Sequence, residues 1–157
     1  MLSRFEHFTY DINEIDLHWH RIASAGMKRY GLRGGTSIYL TKLCSAPDGM
    51  SASELSAACG RDKADVSRDL RQLERAGLIS RGKGYRACVT LTEQGKALAE
   101  QIIRKAEYAV GFVGGSLSES EREIFYSVLD RITANMRQLS EIGLDGLKGE
   151  NIWQSDW

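Results

Sequence analysis

Between Arg61 and Arg75, nine of fifteen side chains are charged, and the stretch ends in the apolar pair Leu78–Ile79. At about 100° per residue, Val66, Leu70 and Leu73 fall on one side of a helix, while Ala64, Arg68, Arg71 and Arg75 fall on the other with Ser67 beside them. One face has the composition of a core and the other is cationic. Arginine can donate two parallel hydrogen bonds to guanine O6 and N7, serine can bond a base or a phosphate, and a small alanine lets a helix approach a groove closely. Lysine supplies mainly phosphate attraction, which gives affinity and register but little sequence information. The alternative is a solvated face held by pairs such as Arg61 with Asp65 and Arg71 with Glu74, each worth about 0.2–0.5 kcal/mol. Asp65 has two further options, a cytosine amino group or Arg68.

The surrounding elements decide between these readings. Ser51 and Glu54 have the spacing of a capping box, which opens a short helix that stops at Gly60. Asp62 is an N-cap for the charged helix, which runs to Ala76 with Gly77 as its C-cap. A short capped helix, a tight turn and a cationic helix make the helix-turn-helix layout. Residues 78–80 and 87–92 then read as two short strands around "RGKGYR", a glycine-bearing hairpin tip that carries Arg81, Lys83 and Arg86. The unit is a winged helix-turn-helix. From Arg61 to Arg86 eight basic side chains face four acidic ones, a local surplus of four positive charges hidden in a chain whose formal net charge is zero.

The stretch "MSASELSAACGRDKADVSRDLRQLERAGLISRGKGYRACVTLTEQGKAL" resembles the MarR-type (multiple antibiotic resistance regulator) family, strongly over residues 49–98. The resemblance implies obligate homodimers, assembled by first and last helices, that bind pseudo-palindromic operator DNA and repress until a small-molecule effector, aromatic or phenolic in kind, is bound. It places Ser51 at the start of the supporting helix, Lys63, Ala64, Ser67, Arg68 and Arg71 toward the groove with Asp65 among them, and Arg81, Lys83 and Arg86 on the wing. The wing departs from the family pattern, being shorter and lacking the aspartate of the usual Asp-Arg-Arg tip. The resemblance also implies an effector pocket between the dimer helices and the reader unit. Trp19, His20, Tyr30 and Tyr39 join apolar bodies to polar tips and could line it, or could be core or interface aromatics.

The rest of the chain is predicted to be helical. Ile12, Ile15, Trp19 and Ile22 recur at three- and four-residue steps, which predicts a helix over about 9–30 with a buried stripe. A second helix is predicted over 36–44, with Ile38, Leu40 and Leu43 inward. Thr92 can cap a helix over 93–113, and a second capping-box pair, Ser118 and Glu121, opens a last helix to about Leu139. Ile124, Val128, Leu129, Ile132 and Met136 form a broad stripe there, suited to a core or to a second subunit. The predicted fold is mainly α with a small β-hairpin wing (α+β), a winged helix-turn-helix flanked by N- and C-terminal dimerisation helices. Residues 1–157 form a single domain in this reading, with the DNA-binding portion at 33–91, helical dimerisation portions at 5–31 and 92–140, and an irregular tail at 141–157.

Other classes are disfavoured. No apolar run approaches the roughly 18 residues of a membrane span, and the opening "MLSRFEHFTYDINEIDLHW" has no basic segment followed by an apolar one, so a cytoplasmic protein is expected. Cys44, Cys59 and Cys88 are too widely spaced for a paired zinc site or a disulfide framework. Of these, Cys44 near a helix end is the candidate for a thiol sensor. His18 and His20 point about 200° apart on a helix, so they cannot share an ion unaided. No metal or cofactor is expected. No nucleophile elbow, P-loop or His-Glu-x-x-His motif occurs, so no enzyme is expected. A winged-helix module that docks protein instead of DNA is the reading from another class, and the acidic remainder of the chain favours it.

Overall fold

The computed structural model describes residues 3–82 and 87–143. Six α-helices and one two-stranded antiparallel hairpin appear among them: α1 (Arg4–Lys28), a 3-10 turn (Gly34–Thr36), α2 (Ser37–Cys44), α3 (Ala52–Cys59), α4 (Lys63–Arg75), β1 (Ile79–Arg81), β2 (Val89–Leu91), α5 (Glu93–Val113) and α6 (Glu119–Ile142). The mainly α fold with a β-hairpin follows the sequence reading. None of these helices is long and apolar enough to cross a membrane.

Most boundaries are written in caps. Ser51 and Glu54 form the expected box, with the Glu54 amide donating to Ser51 Oγ at 3.2 Å and the Ser51 amide to Glu54 Oε2 at 2.7 Å. Ser118 and Glu121 repeat it, and these bonds, chiefly from the Ser118 side chain, hold the Glu121 carboxyl below its ordinary value. The first helix starts at Arg4, earlier than predicted, because Ser3 and Glu6 form a third box at 2.8 and 3.1 Å. The last helix extends to Ile142, so residues 141 and 142 are helical, and residues 144–157 lie outside the described part.

The chain divides into two compact units that part between Ala109 and Val110. The boundary falls inside α5 because that helix outruns its core: Leu98 and Ala99 are buried, whereas Phe112 and Val113 are exposed. The core of the first unit takes Tyr39, Leu40 and Leu43 from α2, Leu55 from α3, Val66, Leu70 and Leu73 from α4, Leu78, Ile79 and Val89 from the hairpin, and Leu98 and Ala99 from α5. Each large side chain buried there contributes roughly 1.5–3 kcal/mol of transfer free energy. Ile38 packs against this core half-buried. In the second unit α6 has no buried residue, and its predicted stripe, Ile124 and Met136 included, stands at least partly open.

Within a single chain the predicted stripe of α1 is open. Ile12, Ile15, Trp19 and Ile22 are 42–62% exposed, and Met27 is the buried large side chain among those described on that helix. Periodicity reports an apolar face but not what covers it, and within a single chain this face is open. A further element escaped the sequence reading: Met50 forms a one-residue antiparallel bridge to Val89, with amide-to-carbonyl distances of 3.0 and 2.8 Å in the two directions. The hairpin pairs Ile79 with Leu91, Ser80 with Thr90 and Arg81 with Val89.

Candidate nucleic-acid interface

The cationic surface is built from the turn between α3 and α4 outward. Gly60 takes the left-handed conformation, with φ of 59°, that reverses the chain after α3. Ser56, nearly buried, donates its hydroxyl to the Arg61 carbonyl at 2.6 Å, and the Arg61 amide returns to the Ser56 carbonyl at 3.1 Å. These two bonds fix the turn. Asp62 then accepts the Ala64 amide at 2.7 Å, a cap whose negative charge sits at the positive end of the α4 dipole.

On α4 the division of faces is complete. Val66, Leu70 and Leu73 are 0% exposed, while Lys63, Ala64, Asp65, Arg68, Arg71 and Arg75 are exposed and Ser67 is half-buried. Two groups hold the inner side in place. Tyr39, in the core, faces the charge of Asp69, and burial first, then that charge, pushes its ionisation up to about 12. At the far end Thr92 Oγ1 donates to the Gly77 carbonyl at 2.7 Å and accepts the Gly95 amide at 3.0 Å, which ties the turn after α4 to the start of α5.

Of the partners considered for Asp65, Arg68 is the one it takes, at 3.0 Å, whereas Arg71 leans on Ser67 Oγ at 3.4 Å instead of on Glu74. Glu74 pairs with Arg81 at 3.3 Å. Arg81 is therefore turned toward α4, unlike the open arginines of that helix. Ser51 is engaged in its capping box at the start of α3. Lys83 and Arg86 lie outside the described residues.

A cavity of about 130 Å³ opens in the first unit, with Trp19, Ile22, Met27 and Ile102 on its apolar wall and Arg29 and Lys105 among its polar lining. Arg29 also donates to Gln101 at 3.3 Å and lies 4.8 Å from the centre of the Tyr30 ring. Of the four side chains considered for an effector, Trp19 lines this cavity. His20, Tyr30 and Tyr39 do not: His20 is held by Asp16 at 3.2 Å, Tyr30 packs partly into the core, and Tyr39 is spent on the core and Asp69. Each histidine has a carboxylate four residues away, with His7 on Asp11 and His18 on Glu14. Among the described residues no three metal-capable side chains converge. Cys44 and Cys59 are half-buried and Cys88 is exposed, and burial pushes the Cys59 thiol up, away from the thiolate that a sensor needs.

Four contributors were missed in the sequence: Ser56, the charge of Asp69 beside Tyr39, the Glu74–Arg81 pair and the tight seat of Gly95. A side chain at Gly95 would place Cβ 1.8 Å from the Leu78 carbonyl oxygen. A glycine inside an otherwise strong helical pattern was the available signal for that close approach. The other three join residues whose partnership depends on tertiary placement.

No protein of curated function matches this sequence. The family described as "Helix-turn-helix domain" matches residues 39–81. Among solved structures, a MarR transcriptional regulator from Methanosarcina mazei Go1 is similar at 21% identity, covering 88% of this chain and 94% of its own, with a TM-score of 0.79. A MarR family regulator from Listeria monocytogenes, solved with a 26-mer DNA, is similar at 24% identity over 96% and 99%, with a TM-score of 0.79. MepR from S. aureus, solved as a DNA complex, is similar at 23% identity over 85% and 99%, with a TM-score of 0.75. At these identities the likeness is one of fold, and it extends well beyond the helix-turn-helix into the flanking helices.

Proposed function

We propose that this chain is a MarR-type transcription regulator, a non-catalytic cytoplasmic protein that reads double-stranded operator DNA as a homodimer. The observation that carries the reading is the complete division of α4: its apolar stripe is fully buried, and the opposite face offers Lys63, Ala64, Ser67, Arg68 and Arg71 from a capped helix seated behind a stapled turn. That arrangement presents arginine forks to a major groove. Ser51 and Asp65 act at its edge, the first by opening α3 and the second by holding Arg68, and Lys83 and Arg86 supply phosphate attraction from the wing. Two solved structures of this fold contain DNA.

The homodimer follows from the same reading. One reader helix covers only a few base pairs, whereas a two-fold pair of helices reads a pseudo-palindrome whose half-sites lie about 34–36 Å apart. The open apolar faces of α1 and α6 supply surface for a second copy. The cavity beside Trp19 is the proposed seat of a small aromatic or phenolic effector that relieves repression, since it combines an apolar wall with two cationic side chains.

The test is a titration of the purified protein against its own upstream intergenic DNA and a scrambled duplex at two salt concentrations. Tighter binding to the upstream DNA, weakening steeply as salt rises and saturating at two subunits per site, is the expected result. Equal binding to both duplexes, or none at low salt, would remove DNA reading and leave the protein-docking module.

A further inference from the structure

We infer that Arg81 is a positioning residue: held against Glu74, its guanidinium ties the first wing strand to the last turn of the reader helix and is not itself a phosphate ligand. The inference rests on the DNA-reading role proposed above and reassigns one residue within it. Glu74 occupies the last turn of α4, where the negative end of the helix dipole disfavours a carboxylate. It therefore needs a cation. Arg71, three residues earlier, reaches Ser67 instead, and Glu74 Oε2 lies 3.3 Å from Arg81 Nε.

The exposure of the guanidinium separates Arg81 from the open arginines. Its side chain is 28% exposed, against 50% for Arg68. Nε and Nη2 are closed to solvent, and neither has a hydrogen-bond partner among the described residues, the Nε–Glu74 approach being an ion pair without hydrogen-bond alignment. A phosphate ligand must present its N–H edge outward, and two of the three nitrogens here cannot. Arg81 is also the last residue of β1. It pairs with Val89, and the next amide, that of Gly82, reaches the Cys88 carbonyl at 2.9 Å before the tip begins. Fixing Arg81 to α4 thus fixes where the wing leaves the sheet relative to the helix that reads bases. Without the cation, Glu74 would face the dipole uncompensated and the wing would lose its tie.

The experiment measures operator affinity and its salt dependence for wild type, Arg81→Gln, Glu74→Gln, the double variant, Lys83→Ala and Arg81→Gln with Lys83→Ala. A tie predicts that Arg81→Gln and Glu74→Gln each weaken binding about fivefold, the scale of one partly buried ion pair, and that the double variant is no worse than either. The salt slope stays at the wild-type value, because the untied wing still makes its phosphate contacts once bound, and Lys83→Ala costs as much beside Arg81→Gln as it does alone. A phosphate ligand predicts the reverse: Arg81→Gln lowers the slope by about 0.9, and Glu74→Gln tightens binding by freeing the arginine. That pattern would overturn the assignment. Failure of the wild type on every duplex would overturn the regulatory reading and this role with it. Thermal melts of the four proteins of the 74–81 cycle, without DNA, are read separately: non-additive shifts support the tie, and additive shifts overturn it.

Discussion

Arg68 and Arg71 differ in what each must give up to reach a base. Arg68 is held by Asp65 at 3.0 Å, an ion pair that must open or be shared, whereas Arg71 has only a hydroxyl contact at 3.4 Å to release. Arg71→Ala is therefore expected to cost roughly 1–3 kcal/mol and to relax specificity at one base pair, with Arg68→Ala costing less. Titrations against operators altered one base pair at a time would check this, and equal losses on every sequence would show that Arg71 contacts phosphate. Tyr39 makes a prediction about pH. Its ionisation lies near 10 in the unfolded chain and is raised to about 12 in the fold by burial, by Asp69 and by Cys59, with Arg61 opposing. A raised value means that its stabilisation is fully present below pH 10 and is lost as pH rises toward 12. Tyr39→Phe should flatten that alkaline loss; denaturant unfolding at pH 8 and pH 11 would show it, and an unchanged alkaline loss would deny the assignment.

At the scale of elements, the caps were legible and the contacts between elements were not. Serine with glutamate three residues on marks a helix start from four adjacent residues, so the starts of α3 and α6 could be read directly, Thr92 marked that of α5, and Ser3–Glu6 could have extended α1 by the same rule as α3 and α6. Met50 could not have been found, because a bridge of one residue has no periodicity. Neither could Ser56 or the Asp69 partner of Tyr39, whose roles are set by what folds against them. Ser51→Ala should remove one half of the α3 capping box and cost about 1 kcal/mol, read as a shift in the denaturation midpoint. Gly95→Ala should cost more than the few tenths gained by helix propensity. The new Cβ must displace the Leu78 carbonyl at the root of the hairpin, and overpacking of that kind costs roughly 1–3 kcal/mol. A stabilised Gly95→Ala would mean that α5 can move off the hairpin freely.

For the whole molecule, the apolar faces of α1 and α6 carry the account. Ile15 at 62% and Ile124 at 64% exposed are large side chains left in water by a single chain, and the proposed homodimer covers such faces. Ile15→Glu is accordingly expected to yield monomer by sedimentation and to lose operator affinity together with dimerisation, while α4 is untouched. Here the sequence was half legible: the stripe on α1 could be read, but its spacing could not distinguish a core within one chain from an interface between two. The DNA-facing side was the more legible part because charge and apolar residues separate cleanly on α4. The central claim is that α4 reads bases in two symmetric half-sites. Its most direct test is a base-resolved interference footprint of wild type and Arg71→Ala on the upstream DNA. The account predicts two major-groove patches about 34–36 Å apart, with the variant losing sensitivity at one guanine in each. A single patch, or identical footprints for the two proteins, would contradict it.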